Sequence, residues 1–246
     1  MPAFNEERNI QKTINALMVV LDEADIDYEI VVVDDGSKDK TSGLARIHES
    51  DKVKVVRYQT NMGKGYATRV AFENSSGKKI AFFDAGLDFH PEQILRFWDT
   101  LERHSVDVVI GSKRHPESVV DYPIKRRVIS GIYQVATRLL FDLNVRDTQV
   151  GLKFFNRDVL ENVFPRALIR RYAYDVELLA MAQRYGYKIV EAPVVMKFNF
   201  SNSSVNWKAI WQSGVDTMSV FYRLKILRYY DKPAAEREEM LAKYKK

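Results

Sequence analysis

Four short apolar runs, each closed by a polar turn, set the limits on what this chain can become. They are Tyr28–Val33, Val53–Tyr58, Ile80–Phe83 and Val106–Gly111. Between them lie stretches with helical spacing. The first covers 6–24, with Asn5 placed to cap it and Ile10, Ile14, Leu17, Met18 and Leu21 as its apolar stripe. Others cover 39–49, the segment opened by Asn61–Gly65 and running to 74, and a Pro91-initiated helix to His104. Strand and helix in alternation predict an α/β fold, a mostly parallel sheet flanked by helices. Ligands of such sheets bind beyond the carboxyl ends of the strands, so the residues just after each run are the ones to read for chemistry.

Beyond residue 112 the alternation loosens. A polar loop over 113–125 precedes a helix from Arg126 to Phe141 and a strand-like Gly151–Phe155. A short helix near Asp158–Val163, a helix over 175–185 and a strand over 188–195 follow. Trp207 to Tyr230 predicts one long helix, and 232–246 a charged, frayed tail. The expected division is one α/β domain over 1–206 and a C-terminal amphipathic helical extension over 207–246.

With 246 residues, 46% of them apolar and 29% charged, the chain can bury a sizeable core. The absence of cysteine excludes disulfides and thiolate metal sites. No apolar run is long enough to span a bilayer. The net charge of +5 is unevenly placed, with cations at 113–127, 166–171 and 223–228 and acids at 22–39, which suggests an anionic partner on one side.

The run Ile80–Phe83 ends in Asp84 and Asp88, with Gly86 between them. Hard oxygen ligands on a loop suit Mg²⁺ or Mn²⁺ holding a diphosphate, although a solvated acidic turn is the plainer reading of these residues alone. Asp34-Asp35-Gly36-Ser37 can set carboxylates against a ribose or base edge, or can be an ordinary turn capping the next helix. Asn61–Gly65 offers two glycines, Lys64 and a helix start, which suit an anion without matching a P-loop. Lys113, Arg114, Lys125, Arg126 and Arg127 form a basic group. Ser130 lies one turn beyond Arg126, so a hydroxyl and a guanidinium share a helix face as a workable phosphate clamp.

As a set these pieces resemble the family-2 inverting glycosyltransferases, and within them the polyprenyl-phosphate (dolichyl-phosphate) glucose and mannose synthases. The matching segments are Pro2–Glu6, Val33–Ser37, Asn61–Gly65, Asp84–Asp88, Arg126–Ser130, Asp147–Lys153 and Asp175–Leu178. The resemblance implies a GT-A type nucleotide-sugar-binding fold that transfers a hexose, from UDP-glucose or GDP-mannose, to a polyprenyl phosphate with inversion. Pro2, Asn5, Glu6, Asp34, Asp35 and Lys64 would bind the donor. Asp84 would begin the metal motif, with Asp88 as second ligand for Mg²⁺ or Mn²⁺. Lys113, Arg126 and Ser130 would hold the acceptor phosphate. Gln149 would face the sugar, completing a catalytic set with Asp84 and Asp88. No nucleic acid is implied, because the cations are interleaved with sugar-nucleotide motifs.

A lipid acceptor implies peripheral contact with a membrane, at its cytoplasmic face. Trp207, Ile210, Trp211, Val215, Met218 and Tyr222 fall at helical spacing, with Lys208, Arg223, Lys225 and Arg228 adding charge, as an interfacial helix would have them. The same stripe can equally pack on the domain. Two departures from the family stand out. Gly86 occupies the third position of the metal motif, where an acid is usual. No apolar strand precedes the Pro2–Glu6 turn, so a first, central strand is expected to be missing. Two rival readings follow: a family-2 transferase acting on a saccharide or protein with Asp175 as base, and a non-catalytic nucleotide-sugar-binding protein.

Overall fold

A computed structural model describes residues 1–121, 124–197 and 207–244, without the side chains of 121, 124–129, 197, 207, 208 and 244. The predicted alternation appears as β1 (Pro2–Ala3), α1 (Ile10–Glu23), β2 (Ile30–Asp35), α2 (Thr41–Arg46), β3 (Val53–Tyr58), α3 (Lys64–Glu73), β4 (Lys79–Phe82), α4 (Gln93–Arg103) and β5 (Val108–Ser112). The second half adds β6 (Val119–Asp121), α5 (Ile124–Phe141), β7 (Lys153–Asn156), α6 (Arg157–Val163), α7 (Tyr174–Arg184), β8 (Ile189–Pro193) and β9 (Val195–Lys197). Two C-terminal helices, α8 (Trp207–Phe221) and α9 (Ala234–Tyr244), complete the described chain.

The strands β1-β2-β3 form a parallel sheet, and β4-β7-β5-β8 a mixed one in which β7 runs antiparallel to both neighbours. The strands β2 and β5 are buried at every position because elements pack on both of their faces. In β2, Val32 joins Ile10, Ile14 and Leu17 of α1, while Val31 and Val33 face Ala67 and Ala71 of α3. In β5, Val109 joins the first cluster and Val108 and Ile110 face a second one with α7. Full burial of each such side chain contributes about 1.5–3 kcal/mol. Among the described residues no ladder joins the two sheets, and a cavity of about 610 Å³ with Ile30, Val31, Ile80 and Phe82 in its walls lies between β2 and β4.

Several expectations need correction. α1 starts at Ile10 rather than Glu6, because Asn5 sits in the left-handed region at φ 55 and the amides of Asn9 and Ile10 turn back onto the Glu6 carbonyl. Asn5 caps nothing in α1; its Oδ1 accepts from the Lys38 amide at 2.9 Å. The 113–125 loop contains β6, paired in parallel with β9, and three-residue strands are too short to show a period. The long helix read over 207–230 breaks after α8 into a π-helical turn, Tyr222–Ile226, and reverses at Arg228 (φ 48). That reversal drives Tyr229 and Tyr230 into the core shared with α7. The tail is not frayed either. It forms α9, whose Met240 and Leu241 pack on the same core.

Candidate active site

The turns after β1 and β2 are stapled together. Asn5 and Glu6 donate their amides to Ser37 Oγ at 2.9 Å and Thr41 Oγ1 at 2.7 Å. The two acids at the end of β2 then part company. Asp34 is wholly buried, accepts from the Ser37 amide at 3.0 Å and lies 3.4 Å from Arg57 Nε, so it holds the turn. Asp35 accepts from the amides of Met62 at 2.7 Å and Gly63 at 3.0 Å, which fixes the loop leading into α3. Gly63 is required there, since its φ is +100 and a Cβ would meet the Arg170 carbonyl at 2.5 Å.

That loop delivers Lys64 to the end of β4. Its ammonium spans both oxygens of Asp84, at 2.6 and 2.8 Å. Burial opposes the Asp84 charge but is outweighed by Lys64 and Lys153, which hold the carboxyl below its usual range. Gly151 presses against the same carboxylate, and a Cβ there would stand 1.9 Å from Oδ2. The acidic loop is tied to α1 by Thr13, whose hydroxyl donates to the Ala85 carbonyl at 2.8 Å. Leu87 within it sits at φ 57, a strained conformation for a bulky residue.

A cavity of about 330 Å³ opens at these strand ends, and Pro2, Glu6, Asp35, Lys64, Asp84 and Asp88 all line it. Asn5 and Asp34 do not. Arg171 and Tyr172, from the segment before α7, complete the lining, and only the basic run over 166–171 hinted at the first of them. Burial and the nearby Asp88 and Asp84 push the Glu6 carboxyl up, against a hydrogen bond from Asn9. A Cβ at Gly86 would lie 3.7 Å from Glu6 Oε1 and 3.8 Å from Asp88 Oδ2, so the third position of the motif lies between two other acids.

Behind Asp84 lies Lys153, 2% exposed, donating to the Val150 carbonyl at 2.5 Å and 2.6 Å from Asp175 Oδ1. Burial lowers its pKa despite Asp175. Lys153 opens β7, and nothing local in the sequence signalled this buried role.

The segment Asp147–Gly151 runs from Asp84 to α5. Asp147 accepts from Gln134 Nε2 at 3.1 Å and lies 3.3 Å from Lys113 Nζ, while the Thr148 amide donates to Gln134 Oε1 at 3.1 Å. Gln149 is half-buried, its amide donating to Asp147 Oδ1 at 3.2 Å. Ser130 is half-buried one turn before Gln134, and the Arg114 guanidinium sits beside the next residue, 3.2 Å from a Cβ built on Gly131. The side chain of Arg126 lies outside the described residues.

Among the described residues no three His, Cys, Asp or Glu side chains are arranged to hold a metal ion by themselves. Asp84 and Asp88 still offer hard oxygen donors on one loop. Mg²⁺ and Mn²⁺ commonly take one or two carboxylates with substrate phosphates and water, so the donor set fits a cation that arrives with a diphosphate.

A model of the family described as "Glycosyl transferase family 2" matches residues 1–164. The dolichyl-phosphate beta-glucosyltransferase of Homo sapiens is 31% identical over 243 residues, which is 92% of this chain and 74% of that protein. Glycosyltransferase AglD of Haloferax volcanii is 31% identical over 199 residues, 79% of this chain and 32% of its own, so the chain spans about a third of AglD. Glucosyl-3-phosphoglycerate synthase from Mycobacterium tuberculosis, solved with Mn²⁺, uridine diphosphate and glucosyl-3-phosphoglycerate, superposes with a TM-score of 0.67 at 19% identity, over 90% of this chain and 76% of that one. That likeness shows a shared GT-A type fold.

Proposed function

The chain belongs to glycosyl transferase family 2, and from that premise we propose that it moves glucose from UDP-glucose to a polyprenyl phosphate with inversion, yielding a lipid-linked monosaccharide. It is a glycosyltransferase. The observation that carries the reading is the single cavity in which Glu6, Asp35, Lys64, Asp84 and Asp88 meet from separate strand ends. The human relative, named dolichyl-phosphate beta-glucosyltransferase, supports the choice of sugar and acceptor.

In this reading Pro2, Glu6 and Asp35 hold the nucleoside and Lys64 meets the diphosphate. Asp84 and Asp88 would hold Mg²⁺ or Mn²⁺, which when bound neutralises the departing nucleoside diphosphate. Lys113, Ser130 and Arg126 present the acceptor phosphate, and Gln149 faces the sugar. A phosphate monoester has its second pKa near about 6, so the acceptor attacks already ionised and needs no protein base. One in-line displacement by that oxygen on the anomeric carbon inverts the linkage. The geometry around Asp175 favours this over a saccharide or protein acceptor. Asp175, the base that reading needs, is 5% exposed and paired with buried Lys153.

The acceptor sits in a membrane, and we assign α8 to its surface. Trp211 is 75% exposed, with Met218 and Tyr222 about half exposed on the same helix and the turn after it. No helix among the described residues is long and apolar enough to cross a membrane. The outward face carries the contact, because Val220 and Leu224 hold the inward one in the core. Trp211→Glu should reduce co-sedimentation with anionic vesicles, and unchanged sedimentation removes α8 from the membrane.

The central test offers radiolabelled UDP-glucose and GDP-mannose, with Mn²⁺, to a short polyprenyl phosphate and to soluble sugars. Label is expected to pass from UDP-glucose to the lipid. Transfer to soluble sugars alone, or donor binding without any transfer, overturns the proposal.

A further inference from the structure

Asp84 is already holding a cation. Lys64 spans both its oxygens at 2.6 and 2.8 Å, and the Gly151 backbone closes another side of the carboxylate. Any metal ion that uses this carboxylate has to displace the ammonium or share the oxygens with it. Lys64 is also a lining residue of the donor cavity, together with Asp35 and Arg171. Its backbone is anchored as the first residue of α3, just after the loop held by Asp35, whereas the side chain is a flexible four-carbon stem. The root is fixed and the charge is movable.

Glu6 and Asp88 line the same cavity, with Arg171 as a second cation in its wall. A diphosphate entering the cavity gives the Lys64 ammonium a second anion to meet and brings oxygen ligands of its own. With the ammonium turned to the phosphates, both Asp84 oxygens are released.

We propose that Lys64 is a built-in counter-ion of Asp84 that a nucleoside diphosphate draws away, so that divalent cation and nucleotide each bind weakly alone and tightly together. The proposal rests on reading this cavity as the donor site. Linkage makes the effect reciprocal: whatever factor UDP adds to Mn²⁺ affinity, Mn²⁺ adds to UDP affinity. Lys64 acts here as a positioning residue, setting when Asp84 becomes available. A purely structural ion pair between α3 and the β4 end predicts something else, lost stability on neutralising Lys64 with no gain in metal binding.

The test measures Mn²⁺ binding to the nucleotide-free chain by the paramagnetic resonance signal of free Mn²⁺. Lys64→Met and Lys64→Gln should bind Mn²⁺ about tenfold more tightly than the wild type, within the usual range of coupling between sites. Lys64→Arg, which keeps the charge, should bind it as weakly as the wild type. UDP should raise Mn²⁺ affinity by a smaller factor in Lys64→Met than in the wild type. Neutral variants that bind Mn²⁺ no better than the wild type overturn the proposal. Should both neutral variants fail to fold, the wild type decides: equal Mn²⁺ affinity with and without UDP also overturns it. Failure of the donor-site reading looks different, as a wild type that binds no UDP at any Mn²⁺ concentration.

Discussion

Asp175 and Glu177 stand two residues apart on α7, both buried, and they serve opposite regions of the molecule. Glu177 faces the C-terminal segment. Its Oε2 accepts from the amides of Leu168 at 3.0 Å and Ile169 at 2.8 Å, and its Oε1 meets Tyr230 at 2.5 Å and Arg223 at 3.4 Å. Asp175 faces the active site, where Lys153 and then Asp84 and Lys64 continue a chain of charges toward the cavity. The first network closes on itself when the protein folds. The second ends at a cavity lined by Glu6, Asp35 and Asp88, where burial and the neighbouring Asp88 and Asp84 push Glu6 up. A closed network holds structure, and an open one keeps a place for a ligand.

Paired substitutions give the largest test of that contrast. Glu177→Ala removes four contacts at once, takes the carboxylate from Arg223 and strands two amides, so it should cost about 3–5 kcal/mol of stability in urea unfolding. Asp84→Asn should leave stability far less affected and lower kcat/KM by roughly 10²–10³-fold, the scale set by losing one electrostatic group at a reacting centre. A stable Glu177→Ala, or an Asp84→Asn chain that fails to fold, would erase the distinction between the two regions.

Which of the two α7 acids faces which region is where sequence reasoning runs out. Residues two apart on a helix point about 200° apart, but the helix phase against the sheet is decided by packing. The strand-end acids Asp84 and Asp88 and the Asn61–Gly65 turn were legible, because short apolar runs and glycine-marked turns are local signals. Lys153 was not. It reads as an ordinary end to Asp147–Lys153, and its burial follows from β7 lying antiparallel between β4 and β5, which no periodicity reports. The helix α9 was hidden for a related reason: Met240 and Leu241 are a small apolar stripe in a charged segment, and they form a face only because the chain reverses at Arg228.

The comparison can be sharpened by pH. Burial raises the Glu177 pKa above its ordinary 4.5, outweighing Arg223, Tyr230 and the two amides. A raised folded value means that the native state holds this proton more tightly than the unfolded chain does. Stability from this group is therefore complete below pH 4.5 and is lost as pH rises through the folded value. Urea unfolding of the wild type and Glu177→Gln at pH 7 and at pH 5 should show the wild type gaining on the variant as pH falls. A difference that does not change with pH would show that the closed network bears its buried charge without strain.

The smallest expected effect is at a tether that is both wetter and less connected. Asp231 directly follows Tyr230 and reaches the same helix, α7, through Arg184, whose Nε donates to Oδ1 at 2.6 Å. Both tethers join the chain after Arg228 to α7, but Asp231 meets Arg184 alone where Glu177 meets four groups, and the outer pair is far wetter. The Arg184 and Asp231 side chains are 36% and 33% exposed, whereas Glu177 is fully enclosed. Water and salt screen the outer pair, so Asp231→Ala should cost only about 0–1 kcal/mol in urea unfolding, and less in high salt. A cost near that of Glu177→Ala would mean that neither dryness nor connectivity sets what a tether to α7 contributes, and the division between a closed interior network and an open site would lose its physical basis.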